Sequence, residues 1–203
     1  IALSSITPAF SQGGSNYTSF GIGDILPNPT SAFESLGGTM IAMPNEHAIN
    51  NRNPALWSYV NSTRLQIGYA FRQNIVNDGK NSLWQNNGKV DGIEGLFSID
   101  TGMGLSVSFG LHPYSYVNYL ISTPVNVSIG NIQQTGTTTY QGSGGVSRGY
   151  LGGAIKLLPS LSVGASIFAT FGNIVSTDYT LLNSYYTYTS TDIKSDYFNG
   201  YGL

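Results

Sequence analysis

The sequence predicts an all-β chain, the N-terminal portion of a transmembrane antiparallel β-barrel. Three observations point there. Only 9% of the 203 residues are charged, yet the mean hydropathy is -0.03, so the missing charge was not replaced by apolar residues. Soluble globular chains carry roughly 25% charge. Apolar residues also recur at every second position through several stretches, the period of a strand with two unlike faces. Finally, the connections between those stretches alternate between short and long, the habit of outer-membrane barrels.

The same composition excludes other classes. No run approaches the roughly 20 apolar residues of a membrane-spanning helix. A net charge of -2 with eight Lys and Arg offers no field for phosphates, so nucleic acid is not an expected partner. The absence of Cys excludes disulfides, thiolate metal sites and thiol nucleophiles.

Residues 1–11 read as the tail of a secretory signal. An apolar stretch leads to Ala9-Phe10-Ser11, with small residues where a signal peptidase reads, and cleavage is expected before Gln12. A first strand is the weaker reading, because Pro8 and four hydroxyl residues break any alternation. On this reading the chain starts inside the signal. Residues 12–61 hold Gly13-Gly14, Gly37-Gly38 and Pro27, Pro29, Pro44 and Pro54, which suit a compact irregular plug better than a sheet.

From residue 62 the wall of the barrel is expected. Leu65, Ile67, Tyr69 and Phe71 alternate with polar or small residues, and a weaker segment follows with Ile93, Phe97 and Ile99 on one face. Asp100-Thr101-Gly102 predicts a tight turn. A third strand carries Met103, Leu105, Val107, Phe109 and Leu111, resuming after Pro113 as Ser115, Val117, Tyr119 and Ile121. A fourth runs from about Val146 to Leu157, a turn falls at Leu158-Pro159-Ser160, and a fifth carries Leu161, Val163, Ala165, Ile167, Ala169 and Phe171. A sixth is expected from near Asp192 and is still running at Leu203. Long loops are expected at about 74–90, 122–144 and 176–191, rich in Asn, Ser, Thr and Tyr. A soluble sandwich would not enforce this alternation of loop length and would carry more charge. Six strands are fewer than the roughly 8 of the smallest usual barrels, so the wall would be incomplete.

The run Asn50-Asn51-Arg52-Asn53-Pro54-Ala55-Leu56 resembles the Asn-Pro-Ala signature of the FadL/TodX outer-membrane transporters of hydrophobic compounds. Leu36-Gly37-Gly38-Thr39-Met40-Ile41-Ala42 is similar to the small-residue segment that precedes that signature. Gly142-Ser143-Gly144-Gly145, Tyr150-Leu151-Gly152-Gly153-Ala154 and Leu161-Ser162-Val163-Gly164-Ala165 are similar to the family's strand–turn–strand style. Phe20-Gly21-Ile22-Gly23-Asp24 and His112-Pro113-Tyr114-Ser115 resemble a Bacteroidetes-like branch. The resemblance covers about residues 17–182. It implies a barrel of about 14 strands, within the even-numbered range of such proteins, closed by an N-terminal hatch. It also implies a kinked third strand that opens sideways to the bilayer.

Two candidate sites follow. Asn53, Pro54 and Ala55 would be the hatch and substrate gate, or an ordinary Asx-Pro turn feeding the first strand. Pro113, Tyr114 and Ser115 would form the kink and lateral opening, since a proline inside a closed wall removes a ladder hydrogen bond; the alternative is a strand that simply ends there. His47 and His112 stand isolated in sequence and read as surface or lining residues, so no metal and no other cofactor is expected. Asp178, Asp192 and Asp196 read as solvated charge in loop and strand, and Tyr185, Tyr186, Tyr188 and Tyr197 as an interfacial girdle or loop. No Ser/His/acid set suggests an enzyme.

The leading expectation is a non-enzymatic, monomeric channel for passive uptake of hydrophobic small molecules such as long-chain fatty acids or hydrocarbons. It would sit in a Gram-negative outer membrane, with membrane lipid and the hydrophobic substrate as its partners. The alternative is a structural or secretion-associated barrel holding a protein partner.

Overall fold

The computed structural model describes residues 15–26, 31–37, 39–45, 47–77, 82–129, 132–183 and 188–203. The expected signal at 1–11 lies outside them. Residues 15–60 are largely irregular, with 3-10 turns at Asn16–Ser19 and Pro54–Tyr59, a two-residue strand β1 (Asp24–Ile25) and a single helical turn α1 (Ser31–Glu34). An antiparallel sheet follows: β2 (Arg64–Asn77), β3 (Ser82–Asp100), β4 (Leu105–Pro113), β5 (Ser115–Ile129), β6 (Ile132–Leu158), β7 (Leu161–Asn183) and β8 (Tyr188–Gly202). No helix among the described residues is long and apolar enough to cross a membrane.

Each long strand pairs with its neighbour in the chain, and β4 and β5 act as one strand broken at Tyr114. The 27-residue β6 pairs with β4 along its C-terminal half and with β5 along its N-terminal half, then with β7 on its other side. The sheet is not closed: β2 pairs with β3 and β8 with β7. The tight turns behave as their chemistry dictates. Asp100 Oδ1 accepts from Gly102 N at 2.8 Å and Met103 N at 3.1 Å, and Leu158 pairs with Leu161 across Pro159-Ser160.

The two faces of the sheet are unlike. Leu65, Ile67, Tyr69, Phe71, Ile93, Phe97, Phe109, Leu111, Leu151 and Ile167 are exposed on one side, a continuous apolar surface far larger than monomeric soluble proteins present. The opposite side buries Glu94, Leu96, Ser106, Ser108, His112, Tyr150 and Ala154. It carries the N-terminal segment, whose Ile49 and Trp57 join Leu96, Tyr150 and Ala154 in one apolar cluster. A second cluster of Phe33, Met40 and Ala48 packs within the segment itself.

The expected long loops are corrected. Most of 74–90, 122–144 and 176–191 is strand: β5 and β6 pair from Val117↔Gly144 to Ile129↔Ile132, and β7 and β8 pair back to Leu182↔Tyr188. Correspondingly, β6 starts at Ile132 rather than Val146 and β8 at Tyr188 rather than Asp192. These arms are rich in Thr, Ser, Asn and Tyr. Thr and Tyr have high strand preference, but hydrophobic alternation in these arms is short, as at Val125, Val127 and Ile129, and was outweighed by their polar content.

Two irregularities reset which side chains face in. In β3, Gly68 pairs with Gly92 and Tyr69 with Val90, leaving Asp91 as the extra residue of a bulge. Val90 and Ile93 therefore both face outward, although their spacing is odd. At Tyr114 the buried positions pass from even (Ser106, Ser108, His112) to odd (Ser115, Val117). Val117 is thus buried and Leu120 exposed, so the alternation after Pro113 belongs to the other face, as a one-residue slip requires. Gly145 stands opposite the break at φ +151, and a Cβ there would lie 2.3 Å from Ser115 O.

Beyond the bulge β3 pairs only with β2, and beyond the break β5 pairs with β6 and, at Ser115 and Tyr116, with β1. The wall forks, leaving an edge on β5. Thr18 Oγ1 accepts from Asn118 N at 3.2 Å and, sharing its proton with Ser15 O, donates to Asn118 O at 3.0 Å. In an antiparallel strand both backbone groups of a residue point to the same edge and alternate along the chain. The even residues of β5 therefore face this edge, Pro124 among them, and its missing N–H removes a donor there.

Two predictions follow. A Cβ on Gly164 would lie 2.6 Å from Ala55 N and Pro54 C, whereas one on Gly149 meets nothing closer than 3.8 Å. Gly164→Ala is expected to lift Pro54–Tyr59 off the wall, lowering the thermal midpoint and speeding proteolysis of the N-terminal segment. Gly149→Ala should leave both measurements unchanged. The double change Thr18→Val, Pro124→Thr frees the β5 edge and should increase chemically cross-linked dimer in detergent relative to the parent.

Candidate functional site

The seam between the N-terminal segment and the inner face of the sheet is built around Asn50. Its side chain is 3% exposed. Oδ1 accepts from Arg52 N at 3.0 Å and Asn53 N at 3.1 Å, while Nδ2 donates to Met40 O and, at 3.4 Å, to Met43 O. The Asn50 carbonyl accepts from Trp57 Nε1 at 2.6 Å. The side-chain amide thus ties two passes of the chain together, using nearly all the bonds it can make, while the main-chain carbonyl holds the buried indole. Asn53 then starts the 3-10 turn: its Oδ1 accepts from Ala55 N at 3.2 Å, its Nδ2 donates to Ile41 O at 2.7 Å, and Pro54 occupies the first position. Ser58 reaches Ser162 of β7 at 2.8 Å.

The wall contributes a polar row. Glu94 of β3 is 1% exposed; its Oε1 accepts from Asn51 Nδ2 at 2.7 Å and lies 3.5 Å from His112 Nδ1 of β4. Tyr150 of β6 stacks on Trp57 with centroids 6.0 Å apart, lies against His112 at 5.7 Å, and its hydroxyl pairs with Ser108 at 3.2 Å. Arg148, cross-strand from His112, lies 4.2 Å from the ring centroids of both Tyr114 and Phe168. Further contacts close the seam: Gln66 Oε1 accepts from Ile49 N at 2.9 Å, and Arg64 Nη1 donates to Asn45 O at 3.0 Å.

The candidate residues fall in two separate places. Pro54 and Ala55 pack on Gly164 of β7. Pro113 ends β4; Tyr114 N donates to Val146 O at 2.7 Å, Tyr114 O accepts from Leu26 N at 2.9 Å, and buried Ser115 accepts from Val146 N at 3.3 Å. A cavity of about 90 Å³ beside the break is lined by Asn51 and Arg52 together with His112, Pro113, Tyr114, Arg148 and Tyr150, not by Asn53–Ala55.

His112 is not isolated: strand register sets it beside Glu94, eighteen positions away in sequence and without a local signal. Glu94, Arg148 and Tyr150 went unread because their neighbours are set by pairing between strands. Only the parity of Glu94 was visible, opposite Ile93, Phe97 and Ile99 in its segment. His47 sits in an exposed turn whose N–H donates to Asn45 Oδ1. Asp178 and Asp192 lie opposite each other on β7 and β8, and Asp196 pairs with Lys194 at 3.1 Å, so all three are in strands rather than loops. Among the described residues no group of three or more His, Asp or Glu could hold a metal ion. Tyr185 and Tyr186 lie outside the described residues, and Tyr197 is exposed on β8.

Chemically, this arrangement fastens. Both side-chain atoms of the Asn50 amide are engaged, so Asn50→Asp should turn a donor toward two carbonyls into a repelling charge and cost about 2–4 kcal/mol. Urea unfolding in detergent, followed by Trp fluorescence, measures it. Asn61→Asp, at an exposed position, is expected to stay within about 0.5 kcal/mol.

No curated protein and no solved structure matches the chain. A family model described as BamG matches residues 1–203, its whole length. That match overturns the FadL/TodX resemblance, whose short motifs covered only part of the chain. With it fall the expected uptake of fatty acids or hydrocarbons by lateral exit and the lipid and hydrophobic-substrate partners. An Asn-Pro turn seated on a glycine and a strand broken at proline meet general needs of a covered sheet, so they did not identify the family. The chain belongs to the BamG family.

Proposed function

We propose that this chain is part of an outer-membrane β-barrel that acts as an accessory subunit of the BAM outer-membrane assembly machinery of Gram-negative bacteria. It holds protein partners at the membrane and does no covalent chemistry. The observation that carries this reading is the family match over the full 203 residues. The inside-out sheet supports it: strands with an apolar outer side and a polar inner side suit a wall between lipid and a wet interior. The seam supports a holding role over conduction, because Trp57, Asn51 and Ser58 bind the N-terminal segment to β3, β6 and β7 across the inner face.

In this reading residues 1–11 are the export signal, 12–61 the plug and 62–203 the first part of the wall. Asn53–Ala55 anchor the plug on β7. Pro113–Ser115 mark the fork at which the wall opens beside it.

Affinity purification of the tagged full-length protein from its native membrane tests the proposal. BAM core proteins should co-isolate in near-stoichiometric amount and remain through a second, size-based separation. Recovery of the tagged protein alone, from membranes whose BAM core stays intact, would refute it.

A further inference from the structure

The cavity at the strand break has a basic and neutral lining. Its lining holds Arg148, Arg52 and His112 with Asn51, Ser166 and Tyr150, and contains no Asp or Glu. Glu94, the nearby acid, turns to Asn51 and His112 instead. The Arg148 guanidinium carbon lies 4.2 Å from the ring centroids of both Tyr114 and Phe168, which hold the group by cation–π contact. No carboxylate pairs with it among the described residues, and its buried Nε finds no hydrogen-bond partner there. Arg148 is partly buried, and a cation partly withdrawn from water is ordinarily matched by a counter-charge. A cavity of about 90 Å³ has room for about three waters or one small oxyanion.

We infer that this cavity is a binding site for an oxyanion, a carboxylate or a phosphate, received edge-on by the Arg148 guanidinium with Arg52, Asn51 and Ser166 around it. The chemistry is shared by both anions: two oxygens matched to two parallel N–H donors, for which a planar guanidinium is suited. Such an anion would join Arg52 of the N-terminal segment to Arg148 of the wall, so its presence would tighten the seam. This goes beyond the BAM reading and does not depend on it.

The test is thermal unfolding of the detergent-solubilised protein, titrated separately with sodium acetate and sodium phosphate against sodium chloride at constant ionic strength. Acetate, phosphate or both should raise the midpoint in a saturable way that chloride does not reproduce; which one does so distinguishes a carboxylate from a phosphate source. Arg148→Gln should weaken the apparent affinity about tenfold or more. Arg148→Lys, which keeps the charge and the alkyl stem, should lose the response similarly and carries the test where Arg148→Gln does not fold. Equal midpoints in all three salts overturn the site. A lysine variant responding like the parent overturns edge-on recognition.

Discussion

A sheet that turns its apolar side outward leaves its polar side chains within, and each one shut away from water needs a hydrogen-bond partner. Here several of those partners come from one short stretch, Asn50 to Ser58, and others from the wall itself, as where Tyr150 meets Ser108. Asn51 meets Glu94, Ser58 meets Ser162, and Trp57 covers Tyr150 while giving its indole N–H to Asn50. Asn50 holds that stretch in shape through bonds to Met40, Met43, Arg52 and Asn53. The cluster of Ile49, Trp57, Leu96, Tyr150 and Ala154 therefore depends on a polar scaffold. An apolar core alone would not set the depth or angle at which the segment lies.

The second constraint is register. A strand keeps its faces only while its pairing runs without insertion. The shifts at Ile99 and Leu157 lie beside tight turns, and away from such turns the chain breaks that rule at Asp91 and at Tyr114, within one region of the wall. The first lets β3 leave β4 with its apolar residues still outward, and the second turns Val117 inward beneath Gly23. Between them the wall forks, and β1 takes the position beside β5 that β3 vacates. A fork exposes edges, and edges invite other strands. Thr18 and Pro124 guard this one, the first by occupying backbone groups and the second by lacking a donor.

These two constraints also explain why local motifs pointed to another family. Asn53-Pro54 caps a 3-10 turn, Gly164 admits a backbone at close range, and Gly144-Gly145 accommodates a strand break. Any sheet covered by an irregular segment needs devices of this kind. They describe architecture, whereas the match along the whole chain identifies the lineage.

Much of the fold was legible because its cause is local. Scarce charge, the alternation in Leu65–Phe71, Leu105–Leu111 and Leu161–Phe171, the turns at Asp100 and Pro159 and the irregular glycine- and proline-rich start all follow from side-chain chemistry within a few residues. The polar arms were read as loops, since their Asn, Ser, Thr and Tyr content outweighed short alternating stretches such as Val125, Val127 and Ile129. Nor was the parity change after Pro113, since whether a proline ends, kinks or shifts a strand depends on its partner. The seam lay furthest from view. Sequence by itself determined that Glu94 and His112 would lie opposite the apolar residues of their alternating segments. Only the tertiary structure decided that they would meet one another and Asn51, because register between strands and the path of the N-terminal segment set those distances.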